Sequence, residues 1–513
     1  MWLGLDTGTG GSRAVLVDER GAVCAAASAA HAPMALPHPQ WAEQDPEDWW
    51  RAARRAIHRV LREGQVSGEA VAGVGLTGQM HGVVLLDGSG ATLGPAVIWC
   101  DGRAQEDCDA WTARLGAEQI VRLTGNPMLA GFSAPKLSWL RRHEPARWRQ
   151  ARHFLLPKDF IRFRLSGEFA TDVSDASGTG LLDVARRRWS REMVAAMELD
   201  PGWLPAVYES PEVCARISAA AARATGLAEG TPVVAGAGDQ AAGAVGNGIV
   251  DGALASVTVG TSGVVFAATG QMRADPKGRV HSFCHAVPGQ WHLMGVTQAA
   301  GLSLRWVRDT LGARPGPGDA YDRLCREADT APVGARGLLF LPYLMGERTP
   351  HLDPAARGGW IGLTAAHGRA ELIRAVLEGV ALSLREGLEI MQAMDIRPQR
   401  LALSGGGARG TVWPRIQCDV LGLPCVRWGR DEGAAYGAAL LVIAGTAPGA
   451  GGADGVKSVS TRNLRAQARW TPIAERQEAY NHSYTAYREC YPRLKELFPL
   501  LAPQSRCGAG AAS

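Results

Sequence analysis

The chain has 513 residues, 46% of them apolar and 20% charged, with 54 cationic against 50 acidic side chains and a formal net charge of +4. That is the composition of a folded globular protein too long for one ordinary core, and it excludes disordered, fibrous and strongly basic nucleic-acid-binding classes. Ten cysteines are scattered without a CxxC pair, as reduced thiols are, and no apolar run reaches the roughly 18 to 20 residues that span a bilayer. The amino terminus lacks a charged segment followed by an apolar one, so the expectation is a cytoplasmic protein with neither membrane nor nucleic acid as partner.

Glycine is the anomaly: 64 residues, gathered in a few places. In chain order the first is "WLGLDTGTGGSRAVLVD" at 2–18, where two apolar β-type runs flank a Gly-Thr tip and predict a hairpin. Such a tip is either a tight turn or a cradle in which converging N–H groups hold a phosphate. A helix is expected over 46–62, with Asp45 as N-cap and Pro46 in the first position. Next, "GVGLTGQMHGVVLLD" at 73–87 sets a polar Gln79-Met80-His81 between two apolar runs. A histidine there is either structural or a donor and acceptor offered from a rigid edge.

In "TPVVAGAGDQAAGAVGNG" at 231–248 the apolar run 233–235 reads as a buried strand, Gly236 and Gly238 as a turn, and the remainder as a small-residue helix. Asp239 stands at that junction, either as a cap on the helix or as a general base. A second hairpin with a Gly-Thr tip comes in "LASVTVGTSGVVFAA" at 254–268, then "HSFCH" (His281, Cys284, His285), whose apolar neighbours favour a core role over zinc. Helices are expected over 369–394 and 472–497, a third glycine cluster is "LALSGGGARG" at 401–410, and 446–456 and 499–513 are expected to be mobile. Alternating strands and helices imply α/β domains with helix-covered sheets. The two hairpins lie about 250 residues apart, as in an internal duplication with one hairpin per half and the ligand in a cleft between the halves. The expected division is 1–250, 251–495 and a mobile tail over 496–513.

Longer motifs carry a resemblance. "GQMHG" at 78–82, "PAVIWCDGRAQEDC" at 95–108, "GFSAPKLSWLRRHE" at 131–144, "LLPKDFIRFRLSGEFATDVSDASGT" at 155–179, "FLPYLMGERTPH" at 340–351 and "GGWIGLTAAHGRAELIRAVLEG" at 358–379 are similar to those of the carbohydrate kinase family that includes glycerol kinase and gluconokinase. The resemblance covers residues 1 to about 495. It implies two duplicated actin-like (ribonuclease H-like) ATPase domains, ATP and Mg²⁺ as cofactors, and phosphorylation of D-xylulose at its C5 hydroxyl. Ribulose, gluconate or glycerol are the alternative substrates, and a homodimer is the implied assembly. Two departures are Cys100 and Gln240, where relatives are expected to carry Asn.

Carried onto this sequence, the resemblance makes Asp239 the base and Asp6 the Mg²⁺ ligand through water. Met80 and His81 become sugar contacts, with Trp99, Asp101 and Arg103 as a second tier. Thr9, Ser12 and Arg13 become phosphate contacts, as do Gly260 and Thr261. Gly405, Gly406, Gly407 and Arg409 pass under the ribose and α-phosphate, and adenine lies against the helix near 432–440. A chaperone-like or cytoskeletal ATPase would keep the hairpins without a use for "QMHG", and a sensor that had lost activity would be expected to have lost Asp6 or Asp239.

Overall fold

The elements arise from the sequence in chain order, and the computed structural model describes them over residues 1–429, 433–449 and 451–501. β1 (Trp2–Thr7), β2 (Gly11–Val17) and β3 (Val23–Ala30) form an antiparallel meander. α1 (Pro46–Glu63) starts where expected: Asp45 Oδ1 accepts the Glu47 N–H at 2.9 Å, and Trp49, Ala53, Ile57 and Val60 form its buried face. β4 (Gly73–Gly78), α2 (Pro157–Ser166), β5 (Val213–Arg216), β6 (Pro232–Val234), β7 (Ala237–Gly238) and α3 (Asp239–Gly246) come next. Then come β8 (Leu254–Val259), β9 (Gly263–Thr269), α4 (Gly301–Leu311), α5 (Ala320–Ala328), α6 (Arg369–Ala393), β10 (Arg400–Ser404) and β11 (Cys425–Trp428). α7 (Gly433–Thr446), α8 (Gly452–Thr461), β12 (Ala466–Trp470) and α9 (Ala474–Leu494) complete the set.

The chain divides into two compact units, and neither is continuous. The first comprises 1–254, 266–293 and 429–465; the second comprises 255–265, 294–428 and 466 onward. The chain passes from the first unit to the second at 254/255 and returns twice to the first. Residues 452–456, expected to be mobile, open α8, where Val456 is buried. Pro499–Leu501 forms a short 3₁₀ turn, and 502–513 lie outside the described residues.

In the first unit the sheet order is β5–β6–β4–β1–β2–β3, with β7 also beside β4. β1 and β4 are parallel and fully in register. Alternating side chains on β1 send Leu3 and Leu5 to one face, into a core shared with Trp49, Ile57 and Val60 of α1. Each such buried aliphatic side chain contributes about 1.5–3 kcal/mol. The opposite face carries Gly4 and Gly75, where a Cβ would run into the backbone of α7. Glycine at both positions lets α7 lie directly on the strands. In the second unit β8, β10, β11 and β12 stand side by side in that order, with β9 next to β8 and the long α6 buried along most of its length.

Candidate active site

Strand register assembles the first group of residues. Thr7 is level with Gly78 in the β1–β4 pair, and Gly78 is level with Gly238 in the β4–β7 pair. Three parallel strands therefore end in one line, and ligands of open α/β sheets collect outside such carboxyl ends. Just past these ends stand the Gly-Thr tip after β1, Gln79-Met80-His81 after β4, and Asp239 after β7. Asp6 shares the face of Gly4, and its partner across the hairpin is Arg13.

Asp6 and Asp239 are half-buried carboxylates that act on one another. Desolvation, then the negative charge of Asp239, pushes Asp6 up to about 7 against the opposing pull of Arg13. Asp239 is pushed up to about 6, chiefly by desolvation, with hydrogen bonds from Gln240 opposing. Asp6 Oδ1 is buried without a hydrogen-bond partner, and so is Thr77 Oγ1 on the neighbouring strand. An orphaned carboxylate oxygen beside a second carboxylate is an environment that a cation would relieve. Among the described residues no group of three or more His, Cys, Asp or Glu side chains could hold a metal. A carboxylate pair with one orphaned oxygen is a donor set of the kind Mg²⁺ takes together with retained water and substrate phosphates. Asp239 is not the N-cap of α3: Gly238 holds that position, and Asp239 is the first helical residue.

His81 has the left-handed φ of 68°, rare for a residue with a side chain. Three bonds hold it there. Its carbonyl accepts Lys136 Nζ at 3.0 Å and Ser133 Oγ at 3.2 Å, and its Nδ1 meets the Gly178 carbonyl at 2.7 Å. The last bond makes Nδ1 the protonated nitrogen and Nε2 an acceptor. The ring also stacks on Phe132 at 4.9 Å. Lys136 is fully buried, donates to the carbonyls of His81 and Gly131, and is lowered to about 7 by desolvation. Met80 is buried, with its sulfur where a Cβ on Gly238 would fall, so its part is packing.

Other expected contacts are taken up inside the protein. Ser12 is buried and its Oγ bonds His31 Nε2 at 2.9 Å. Asp101 and Arg103 form a fully buried ion pair that also engages Glu43 Oε1 at 2.7 Å, with the guanidinium over Trp41 and Trp139. They tie this part of the scaffold together. Trp99 is exposed, and its indole N–H donates to Thr9 Oγ1 at 3.0 Å, while Thr9 Oγ1 donates to Gln79 Oε1 at 3.3 Å. The "HSFCH" segment is a buried strand whose Cys284 Sγ donates to the Val184 carbonyl.

The second unit contains a separate pocket of about 250 Å³ lined by Gly260, Thr261, Gly406, Gly407 and Arg409. All five belong to the glycine turns of the sequence expectation; the apolar part of the lining does not: Leu304 of α4, Tyr321 and Cys325 of α5, and Trp413. α4 is fastened to the hairpin tip by Gly301 N–H to the Gly260 carbonyl at 2.8 Å and Leu302 N–H to the Thr261 carbonyl at 3.0 Å. Gly405, at φ 76°, packs against Val259, and a Cβ on Gly407 would strike the Val259 side chain. From Ala435 on, by contrast, the first-unit helix α7 is buried against α3 and β1, which leaves no face for adenine there. Residue 432 lies outside the described residues.

With this geometry in hand, comparison with known proteins is decisive. Residues 1–246 match the N-terminal domain of the FGGY family of carbohydrate kinases, and residues 255–445 match its C-terminal domain. The chain belongs to that family. A xylulose kinase of Escherichia coli (strain K12) is 43% identical to the kinase over 505 residues, 98% of this chain and all of that protein. The crystal structure of a xylulose kinase from Rhodospirillum rubrum superposes with a TM-score of 0.90 at 33% identity, over 97% of this chain and 99% of that one. A gluconate kinase from Lactobacillus acidophilus reaches the same TM-score at 26% identity, covering 98% and 99%. The kinase thus has the two-domain, actin-like ATPase fold of its family.

Sequence reasoning missed Lys136, Ser174, Gly178, Gly238 and Gly301 as parts of these sites. Lys136 carried a signal, being the lone cation within "FSAPKLSWL", where burial is the alternative to solvation.

Proposed function

We propose that the kinase transfers the γ-phosphoryl group of ATP to the C5 hydroxyl of D-xylulose, yielding D-xylulose 5-phosphate and ADP. The observation that carries this reading is the alignment of Asp6, Met80-His81 and Asp239 at the ends of three parallel strands in register. The substrate itself is inferred from the named relatives. His81 Nε2 accepts a sugar hydroxyl, and Asp239 takes the proton of the C5 hydroxyl as the oxygen of that group attacks the γ-phosphorus in line with the departing ADP. A base held near neutrality suits this proton transfer. Asp6 would hold Mg²⁺, which when bound neutralises phosphate charge, and Arg13 lies across the hairpin as a further cation. Thr9 is offered as a phosphate donor of the first hairpin. In the second unit Gly260, Thr261, Gly405, Gly406, Gly407 and Arg409 receive the phosphates and ribose, and the base rests between Leu304, Tyr321 and Trp413.

The reading takes the reaction to be cytoplasmic and the enzyme to be a homodimer. No helix among the described residues is long and apolar enough to cross a membrane, and sedimentation would report the assembly. The test is an ADP-release assay with ATP and Mg²⁺ against D-xylulose, D-ribulose, gluconate and glycerol. D-xylulose is expected to have the highest kcat/KM; a higher value for another member replaces the substrate.

A further inference from the structure

The motif "TDVSDASGT" is not used by the proposed reaction, yet it touches both halves of the first-unit site. Asp172 Oδ2 accepts the Ser174 N–H at 2.8 Å and the Ser174 hydroxyl at 2.5 Å, and Ser210 Oγ donates to the same oxygen at 3.2 Å. Its Oδ1 lies 3.0 Å from Lys158 Nζ. Having spent its proton on Asp172, Ser174 Oγ accepts the Gly238 N–H at 3.1 Å. Gly238 is the residue before Asp239.

Four residues on, the Gly178 carbonyl takes the His81 Nδ1 proton. Gly178 itself must lack a side chain, because a Cβ would collide with the His81 ring. Between these ends the turn is internally bonded, through Ser177 Oγ to the Val173 carbonyl at 2.7 Å and Thr179 Oγ1 to the Ala176 carbonyl at 2.6 Å. Asp172, Ser174, Asp175 and Thr179 are completely buried. Lys158 faces Asp159, Asp172 and Asp175, and Arg162 pairs with Asp159, so two cations meet three carboxylates behind the turn.

We propose that the turn over residues 172–179 sets the distance between base and sugar, with Ser174 as the positioning residue for Asp239 and Gly178 as the one for His81. This rests on Asp239 being the base and His81 the sugar contact. A hydroxyl that donates to a fixed carboxylate has its remaining lone pairs oriented, so the Gly238 amide is held in direction as well as distance. Losing that oxygen frees the peptide that carries the base, and small displacements of a reacting group are costly. The two ends of the turn act on different parameters, because one serves the proton transfer and the other serves sugar binding.

The experiment is steady-state kinetics on the full chain with thermal midpoints alongside. Ser174→Ala is expected to lower kcat about tenfold or more with both KM values within about twofold of wild type. Gly178→Ala is expected to raise KM for the ketose about tenfold with little change in KM for ATP. A folded Ser174→Ala with unchanged kcat overturns the proposal. A Ser174→Ala that shifts kcat and ketose KM together with a lowered thermal midpoint reveals a merely structural turn and also overturns it. If Ser174→Ala does not fold, Asp172→Asn gives the reading: it keeps the shape, leaves two cations facing two carboxylates, and is expected to lower kcat about threefold. Unchanged kcat there is again fatal to the proposal. Asp239→Asn separates the layers. Activity retained in that variant brings down the base assignment and this proposal together; activity lost there but kept in Ser174→Ala brings down the proposal alone.

Discussion

The two units build their sites from opposite materials. The first unit uses side chains, each held by buried partners: His81 by Lys136, Ser133 and Gly178, and the Gly238–Asp239 peptide by Ser174 and Asp172. The second brings bare backbone to one side of its pocket, with glycines at 260, 301, 406 and 407 and the chain crossing itself closely, and the apolar side chains of Leu304, Tyr321 and Trp413 to the other. The difference matches what each ligand offers. A sugar presents hydroxyls in a fixed stereochemistry that only placed side-chain donors and acceptors can read. A polyphosphate presents charge and oxygen, which converging N–H groups satisfy without reading any pattern.

The largest test of this contrast is Asp239→Asn, which deletes one charge from the side-chain site and keeps its shape. kcat is expected to fall about 10²–10⁴-fold with KM for ATP unchanged. Asp6→Asn should come next, lowering kcat by at least about 10²-fold and raising the Mg²⁺ concentration for half-maximal rate; an unchanged Mg²⁺ dependence would remove the metal assignment. Two variants of similar, smaller effect cross the comparison. His81→Ala should raise KM for the ketose by the equivalent of roughly 1–3 kcal/mol and leave ATP alone. Gly301→Ala, whose Cβ meets the Gly260 carbonyl, should raise KM for ATP by a similar amount and leave the ketose alone. If both variants move both constants equally, the two sites are not independent constructions.

The smallest effect is on stability. Asp6 and Asp239 hold their protons more tightly folded, at about 7 and about 6, than unfolded, at about 4. Between those values the folded state binds more protons, so the stability these groups contribute falls as pH rises. Asp239→Asn escapes its own share of this, and its thermal midpoint should gain on wild type between about pH 4 and pH 7; a constant difference would argue that the pair is better solvated than its setting suggests.

Much of the scaffold was readable because the signals were local. Asp45 and Pro46 announced α1, apolar runs around Gly-Thr tips announced the hairpins, and the strand-to-helix junction at 238–239 stood where the glycines put it. What escaped was set by tertiary packing. The bond of Ser12 to His31 and the buried pairing of Asp101 and Arg103 with Glu43 join residues distant in the chain, and no local pattern announces them. α8 was obscured by a Gly- and Ala-rich opening, because its reason to exist is the burial of Val456 and Val459. Gly178 carried no signal, and Gly238 was legible as a turn glycine but not for the reason that requires it. Neither adopts a positive φ, so no turn demanded glycine; the demand comes from the His81 and Met80 side chains packed where a Cβ would stand.

The contact of α7 with Gly4 and Gly75 bears on how the molecule is made. Val15, Val17, Ala237, Ala241 and Val245, all from the first half of the chain, share their core with residues 435–459. A ribosome releasing this protein emits nearly two hundred residues, from 255 on, before that wall arrives. Until then the nascent amino-terminal half carries a greasy sheet face without the helices that complete its cover, a natural target for chaperone capture and for misassembly. A polypeptide cut at residue 254 should consequently be insoluble, and should recover only when a separate 429–465 segment is supplied.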